Sequence, residues 1–339
     1  MQALVLVGGQ GTRLRPLTES VPKPVLRLVD RPFISYMIEW LDAHGVEEVL
    51  LACGFMAHAL REVLGDGEPG GPRVRYITEP EPRGTAGAIK FAEDQLEERF
   101  LALNGDTLSD LDLTALVRAH EEHGDVATLA LHPVEDPSGY GLVRRGPDDE
   151  ILEFLEKPDP AEAAEAGNEI NAGAYVLERS ILELVPPDRP VSIEREVFPK
   201  LVGKGLHGIS LDGYWMDIGT PQRYLQANWD ILEGRVATRV TEKARDGVYV
   251  HPEALADPGQ IEHPAFLDAG AAVEDGATVG PGAVLAPGCR VATGAVITGS
   301  VLMDGCEVGE GARVEDSILG ARAAVDPGVT VQGDVVAAS

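Results

Sequence analysis

Six hexapeptides follow one another from residue 265 to residue 300: AFLDAG, AAVEDG, ATVGPG, AVLAPG, CRVATG and AVITGS. Leu267, Val273, Val279, Leu285, Val291 and Ile297 hold the third place in each step, and Gly270, Gly276, Gly282, Gly288 and Gly294 close the first five. An inward apolar side chain and a Gly corner repeated every six residues describe a parallel β-helix, in which stacked coils bury what one coil cannot. A loop-rich tail is the alternative, and nothing would hold it in phase over six steps. The phase slips near Leu302 and partly resumes at Val308 and Val314. A β-helix is therefore expected over 261–339. Ahead of it lies a linker at 236–260, where Pro252, Pro258 and Gly259 leave no clear period.

Residues 1–235 read as a separate domain. Apolar runs at 3–7, 49–52, 74–77, 100–103 and 126–131 alternate with helical patterns at 33–44, 56–64, 85–99 and 113–123. Gly45, Gly65 and Gly124 stand where helix C′ residues belong. Alternating β and α predicts an α/β domain with a Rossmann-like, mostly parallel sheet, and ligands bind such sheets beyond the carboxyl ends of the strands. Two segments fall there, 8–13 and 104–106.

Charge narrows the partners. The 339 residues include 56 acidic and 28 basic side chains, a formal charge of −28, which repels nucleic acid and anionic membranes, so neither is expected as a partner. No apolar run reaches the roughly 18 residues of a membrane span, and no basic leader precedes the first run, so a cytoplasmic protein is expected. Cys53, Cys289 and Cys306 have neither metal nor disulfide spacing and read as buried free thiols.

The first apolar run ends in Gly8-Gly9-Gln10-Gly11-Thr12-Arg13-Leu14-Arg15-Pro16-Leu17-Thr18, with Pro22-Lys23-Pro24 close behind. A Gly-rich loop after a first strand suits phosphate, because backbone N–H groups approach an anion where no Cβ intervenes. The glycines alone also fit a plain tight turn. Leu14 occupies the place of a dinucleotide fingerprint's third Gly, and no Gly-Lys-Ser/Thr follows as in a Walker loop. Arg13 adds a fork for β- and γ-phosphates, and Lys23 a point charge between prolines for an α-phosphate.

GGxGTRLRPLT…PKP resembles the signature of the sugar-1-phosphate nucleotidyltransferases. The resemblance continues through Glu81-Pro82-Arg83-Gly84-Thr85-Ala86-Gly87, Asn104-Gly105-Asp106, Tyr140-Gly141, Glu156-Lys157-Pro158, Ile170-Asn171-Ala172-Gly173 and Trp215-Met216-Asp217-Ile218-Gly219-Thr220-Pro221. The repeats likewise resemble the left-handed β-helix of hexapeptide-repeat proteins. The short tail, segment 192–198 and YWMDIGTP are most similar to the branch that joins GTP to mannose-1-phosphate.

This resemblance implies attack of a sugar-1-phosphate oxygen on the α-phosphorus of a nucleoside triphosphate, in line and without a covalent intermediate. The nucleophile is already ionised, so no His is needed as a base. Two anions must meet in an acidic protein, so Mg²⁺ and fixed cations carry the chemistry. Carried over position by position, the catalytic cations are Arg13, Lys23 and Lys157. The nucleotide falls to Gly8, Gly9, Gly11, Thr12, Arg13, Lys23, Glu79, Gly84, Thr85 and Asp106. The sugar phosphate falls to Gly141, Glu156, Lys157 and Asn171, and Mg²⁺ to Asp106 and Asp217. Standing alone, Asp106 reads as a turn residue, Asp217 as a loop acid, and Glu156 with Lys157 as a solvated pair.

Base choice turns on Glu79, five residues before Gly84, where uridine- and thymidine-using relatives usually carry Gln. A carboxylate only accepts, which matches the adjacent N1–H and N2 amine of guanine and opposes the carbonyls of uracil or thymine. A surface Glu in an acidic, Pro-containing loop is the plainer alternative. Two further functions stay open: thymidylyl or uridylyl transfer to glucose-1-phosphate, and a silent regulatory subunit. Intact Gly11, Arg13, Lys23, Asp106, Lys157 and Asp217 speak against the subunit. Acyl transfer by the β-helix lacks its usual His, since 265–339 contains none. Covering the open ends of the β-helix, in a homo-oligomer of two or more chains, suits the repeats better.

Overall fold

A computed structural model describes residues 1–9, 11–19, 21–54, 57–137, 139–156, 167–187, 189–240, 244 and 247–337. The chain forms two compact units. One comprises Met1–Gly9 and Met37–Trp215, the other Gln10–Tyr36 and Met216–Ser339. The glycine-rich signature therefore divides: Gly8 and Gly9 end the first segment of one unit, and the rest of the loop belongs with the C-terminal half.

In the first unit, β1 (Gln2–Leu6), β2 (Glu48–Cys53), β3 (Arg73–Thr78) and β4 (Arg99–Asn104) lie parallel in the order β3-β2-β1-β4. Their apolar runs are covered on both faces, as parallel strands require. Beyond β4 the sheet continues through β5 (Ala127–Pro133), β8 (Glu169–Glu178) and β9 (Leu206–Ser210) in the order β4-β8-β5-β9, with only β8 antiparallel. A hairpin of β6 (Gly141–Arg145) and β7 (Ile151–Glu156) joins the start of β8 through Leu142 and Ile170. The expected α/β sheet is present and mostly parallel. Leu4, Leu50, Phe100, Ala102, Tyr175, Leu177 and Phe198 form the centre of its core, each large side chain contributing about 2 kcal/mol by burial.

The helices are α1 (Phe33–Ala43), α2 (Ala57–Leu64), α3 (Gly84–Phe91) and α4 (Leu113–His123). Asp112 caps α4 by accepting the Ala115 N–H at 2.9 Å, and Gly124 closes it at φ +68°. The pattern at 85–99 overruns the observed α3 by a full two turns. Buried Gln2 explains the early stop: its amide donates to Gln95 O at 3.0 Å and accepts Glu97 N–H at 2.9 Å, drawing the chain toward β1. No helix among the described residues is long and apolar enough to cross a membrane.

The second unit contains α5 (Pro221–Leu232) and the β-helix. Three parallel ladders stack coil upon coil: one begins at Ala265–Leu267, one at Ala272–Val273 and one at Thr278–Val279. Ala265 pairs with Ala283, but Val284 pairs with Val301 and Val301 with Ile318, so later coils are one residue shorter. The missing residue is always at the same corner, between Ile297 and Leu302 and again between Val314 and Leu319. This accounts for the slip in phase, and the inward row continues buried through Leu302, Val308, Val314, Leu319 and Val325. Two buried serines shape the tight corner. Ser300 Oγ donates to Thr298 O at 2.7 Å and accepts the Ser317 N–H at 3.0 Å, and Ser317 Oγ repeats this with Glu315 O and the Asp334 N–H. The first ladder also takes in Val248–Val250, inside the stretch expected to be a linker, where Pro252 and Pro258 conceal the period. Segment 10–36 is tied into this unit by an Arg27–Asp268 ion pair and by Val29 N–H donating to Asn228 Oδ1 at 2.9 Å. Cys53, Cys289 and Cys306 are buried and free, as expected.

Candidate active site

Within the second unit, the loop after Gly11 tightens into a 3-10 turn, Thr12–Leu14, pinned by Thr18 Oγ1 donating to Gly11 O at 2.8 Å. Pro22 and Pro24 hold Lys23 at the start of another short turn, with its side chain only 9% exposed. Arg13 and Lys23 converge on one carboxylate: Arg13 Nη2 lies 3.9 Å from Asp217 Oδ2, and Lys23 Nζ lies 3.9 Å from Asp217 Oδ1. A third cation joins them. Arg223 Nη1 approaches Asp217 Oδ2 at 3.4 Å. Its direction is set by the start of α5, where Thr220 Oγ1 accepts the Arg223 N–H and Pro221 takes the first helical place. Sequence reasoning missed Arg223, although the Thr-Pro start with an Arg in the first turn was its signal.

These contacts are longer than the 2.7–2.9 Å typical of tight N–H⁺···carboxylate bonds. Three cations on one carboxylate leave local positive charge, which suits a polyphosphate. Gly219 makes the arrangement possible: a Cβ there would lie 2.7 Å from Arg13 Nη2. Asp217, read alone as a loop acid, ends the short strand Trp215–Asp217. Its oxygens fit a hard divalent cation, which takes one or two carboxylates and completes its shell with phosphate and water. The surrounding cations disfavour a bare metal ion and favour one that arrives with its phosphates.

In the first unit, Gly8 and Gly9 follow β1, and Gly8 passes close enough to Gly54 that an added Cβ would touch its backbone at 3.7 Å. Asn104 ends β4, and Gly105 N–H donates to Leu6 O at 2.9 Å. A Cβ on Gly105 would meet Val7 Cγ1 at 2.5 Å, so only Gly lets Asp106 follow the strand here. Glu79 lies half-buried between β3 and α3, where its Oε2 accepts the Arg83 N–H at 3.2 Å. Burial raises its carboxyl above the usual range, partly offset by Arg83. Gly84 opens α3. Thr85 Oγ1 accepts the Ile193 N–H at 2.7 Å and donates to Glu194 Oε2 at 3.0 Å, so this hydroxyl ties α3 to segment 192–197.

Gly141 opens β6 opposite Glu156, the last residue of β7. Asn171 is engaged within β8: its Nδ2 donates to Tyr175 OH at 2.8 Å, and its Oδ1 accepts the Gly173 N–H at 3.0 Å. Lys157 lies outside the described residues. Beside Gly141, Tyr140 meets Trp215 edge to face at 5.2 Å, and Trp215 Nε1 donates to Ala172 O at 2.8 Å. Both aromatic residues stand among the landmarks of the resemblance, but neither their contact nor a role for them was read from the sequence.

A family model described as nucleotidyl transferase matches residues 2–234, and one described as GMPPB C-terminal domain matches residues 261–339. The chain belongs to the nucleotidyl transferase family. It is 36% identical over 265 residues to the mannose-1-phosphate guanylyltransferase of Mycobacterium tuberculosis, spanning 77% of this chain and 73% of that one. Against the mannose-1-phosphate guanylyltransferase catalytic subunit beta of Danio rerio it is 37% identical over 264 residues, 76% of this chain and 72% of that one. The crystal structure of HddC from Yersinia pseudotuberculosis complexed with GMP-PN matches with a TM-score of 0.59 at 29% identity, covering 68% of this chain and 99% of that chain.

Proposed function

We propose that this chain transfers a guanylyl group from GTP to mannose-1-phosphate, releasing pyrophosphate and forming GDP-mannose. The observation that carries the transfer is the convergence of Arg13, Lys23 and Arg223 on Asp217. The choice of guanine and mannose is supported by relatives of that name at 36% and 37% identity.

Arg13 and Lys23 hold the polyphosphate and neutralise charge as the α-phosphorus becomes five-coordinate. Glu79 accepts from the two donors of guanine. On this reading Gly8, Gly9, Gly11, Thr12, Gly84 and Thr85 are assigned to the nucleotide, Lys157 to the sugar phosphate, and Gly141, Glu156 and Asn171 to the sugar. Asp106 and Asp217 are the carboxylates assigned to a divalent ion, Mg²⁺ on this reading, which when bound withdraws charge from the reacting phosphates. The sugar phosphate attacks as an anion, so no side chain has to remove a proton. The same reading places the protein in the cytoplasm as a homo-oligomer of two or more chains, which light scattering on the purified protein tests.

Pyrophosphate release tests the substrates: GTP, dTTP, UTP and ATP, each with mannose-1-phosphate and with glucose-1-phosphate, in the presence of Mg²⁺. Turnover should be fastest with GTP and mannose-1-phosphate. Preference for dTTP or UTP would overturn the base assignment, and silence from folded protein would point to a regulatory subunit.

A further inference from the structure

At the far edge of the first unit's sheet, three potential ligands meet that the transfer reaction does not use. β5 and β9 run parallel to β4, so their starts lie at the edge opposite Asn104 and Asp106. His123 is the last residue of α4, Asp125 precedes β5, and His207 is the second residue of β9, opposite Thr128. The turn is held in place because the Val126 and Ala127 N–H groups both donate to Gly205 O, at 3.0 and 3.2 Å.

Asp125 is the centre of this group. Its side chain is 2% exposed, under two imidazoles that remain 20–29% exposed. His207 Nδ1 lies 2.6 Å from Asp125 Oδ1, and His123 Nδ1 lies 3.6 Å from Asp125 Oδ2. The two rings stack with centroids 4.5 Å apart, and one ligand atom from each of the three residues lies within 4.8 Å of the others. Among the described residues, no Lys or Arg pairs with this carboxylate. A buried anion without a permanent cation is costly, and a metal ion is one way to offset it.

An outer layer of hydrogen bonds orients the centre. Thr128 Oγ1 donates to Asp125 Oδ2 at 2.9 Å and lies 2.9 Å from His120 Nδ1, whose Nε2 lies 3.2 Å from Glu178 Oε1. Carboxylate and hydroxyl partners of this kind commonly fix the ligands of a metal centre.

We propose that His123, Asp125 and His207 form a binding site for a divalent transition-metal ion of the zinc class, separate from the catalytic cation. Two imidazole nitrogens and one carboxylate oxygen suit zinc or cobalt, whereas magnesium prefers oxygen alone. The ion takes the place of the proton between His207 Nδ1 and Asp125 Oδ1, and those atoms separate to the roughly 3.3 Å of a tetrahedral site. The exposed sides of the imidazoles leave a fourth position for water and a route of entry.

Isothermal titration of chelator-treated full-length protein with ZnCl₂, and visible spectra with CoCl₂, test the site directly. The wild type should bind an ion that His123→Ala binds at least about a hundredfold more weakly, and should show cobalt d–d bands that this variant loses. His207→Asn keeps a hydrogen-bond donor beside Asp125 and should fail in the same way while unfolding at a midpoint near that of the metal-free wild type. Zinc should raise the midpoint of the wild type but of neither variant. Isotherms and spectra unchanged by both substitutions would overturn the proposal. So would a wild type whose only zinc site is lost in Asp106→Asn.

Discussion

Asp217 shows how little a side chain's identity says about its task until its neighbours are known. As an isolated acid it fits a loop; with Arg13, Lys23 and Arg223 at 3.4–3.9 Å it anchors a positive cluster in a chain of formal charge −28. Replacing Lys23 with Ala should lower kcat by about 10²–10³, the usual cost of one preorganised donor, and steady-state kinetics on folded variant protein would show it. Glu79 predicts a pH effect with a definite sign. Burial raises its folded carboxyl pKa, so folding is favoured while the group is protonated, and that contribution is lost as pH rises through the raised value. Accepting from guanine needs the ionised form, so KM for GTP should climb on acidification at a pH above the ordinary Glu range. Glu79→Gln should remove that inflection, narrow the preference for GTP over UTP by at least about tenfold, and leave thermal stability unchanged or slightly higher. Arg13, Lys23 and Asp217, which the structure brings together, could be proposed from the sequence because their motifs are local. Arg223 was not, because its aim depends on the first turn of α5. Thr85 and Asn171 have internal hydrogen bonds that no sequence pattern announces.

The same division holds for elements. Helices closed by glycines and strands of continuous apolar residues were readable, since each records its own burial. The overrun of α3 was not, because a distant Gln2 amide ends it. The hairpin of β6 and β7 and the long β8 also escaped, since β8 sets Asn171 and Gly173 among its apolar residues and carries a bulge there rather than a regular period. In the β-helix the inward row was clear, but the shortened corner looked like a break until its serines were seen. Ser300→Ala removes the acceptor of the buried Ser317 N–H and should cost about 1–3 kcal/mol, measurable by denaturant unfolding. Gly219→Ala should leave that stability largely intact but displace the Arg13 guanidinium, so kcat should fall without a matching drop in the unfolding midpoint.

At the scale of the whole molecule, two anionic substrates meet a strongly acidic protein, so the positive charge that binds them has to be local. Self-repulsion across a −28 chain weakens the folded state, and salt screens it over about 10 Å at 0.1 M. The midpoint of thermal unfolding should therefore rise between low salt and molar NaCl. A fall would mean that attractive pairs outweigh the net repulsion. The central claim is guanylyl transfer with mannose-1-phosphate, and reversal tests it most directly because one substrate carries both base and sugar. Phosphorus NMR of the protein with GDP-mannose, pyrophosphate and Mg²⁺ should show GTP and mannose-1-phosphate appearing together, faster than dTDP-glucose yields dTTP. Formation of dTTP alone, or no exchange by folded protein, would contradict the account.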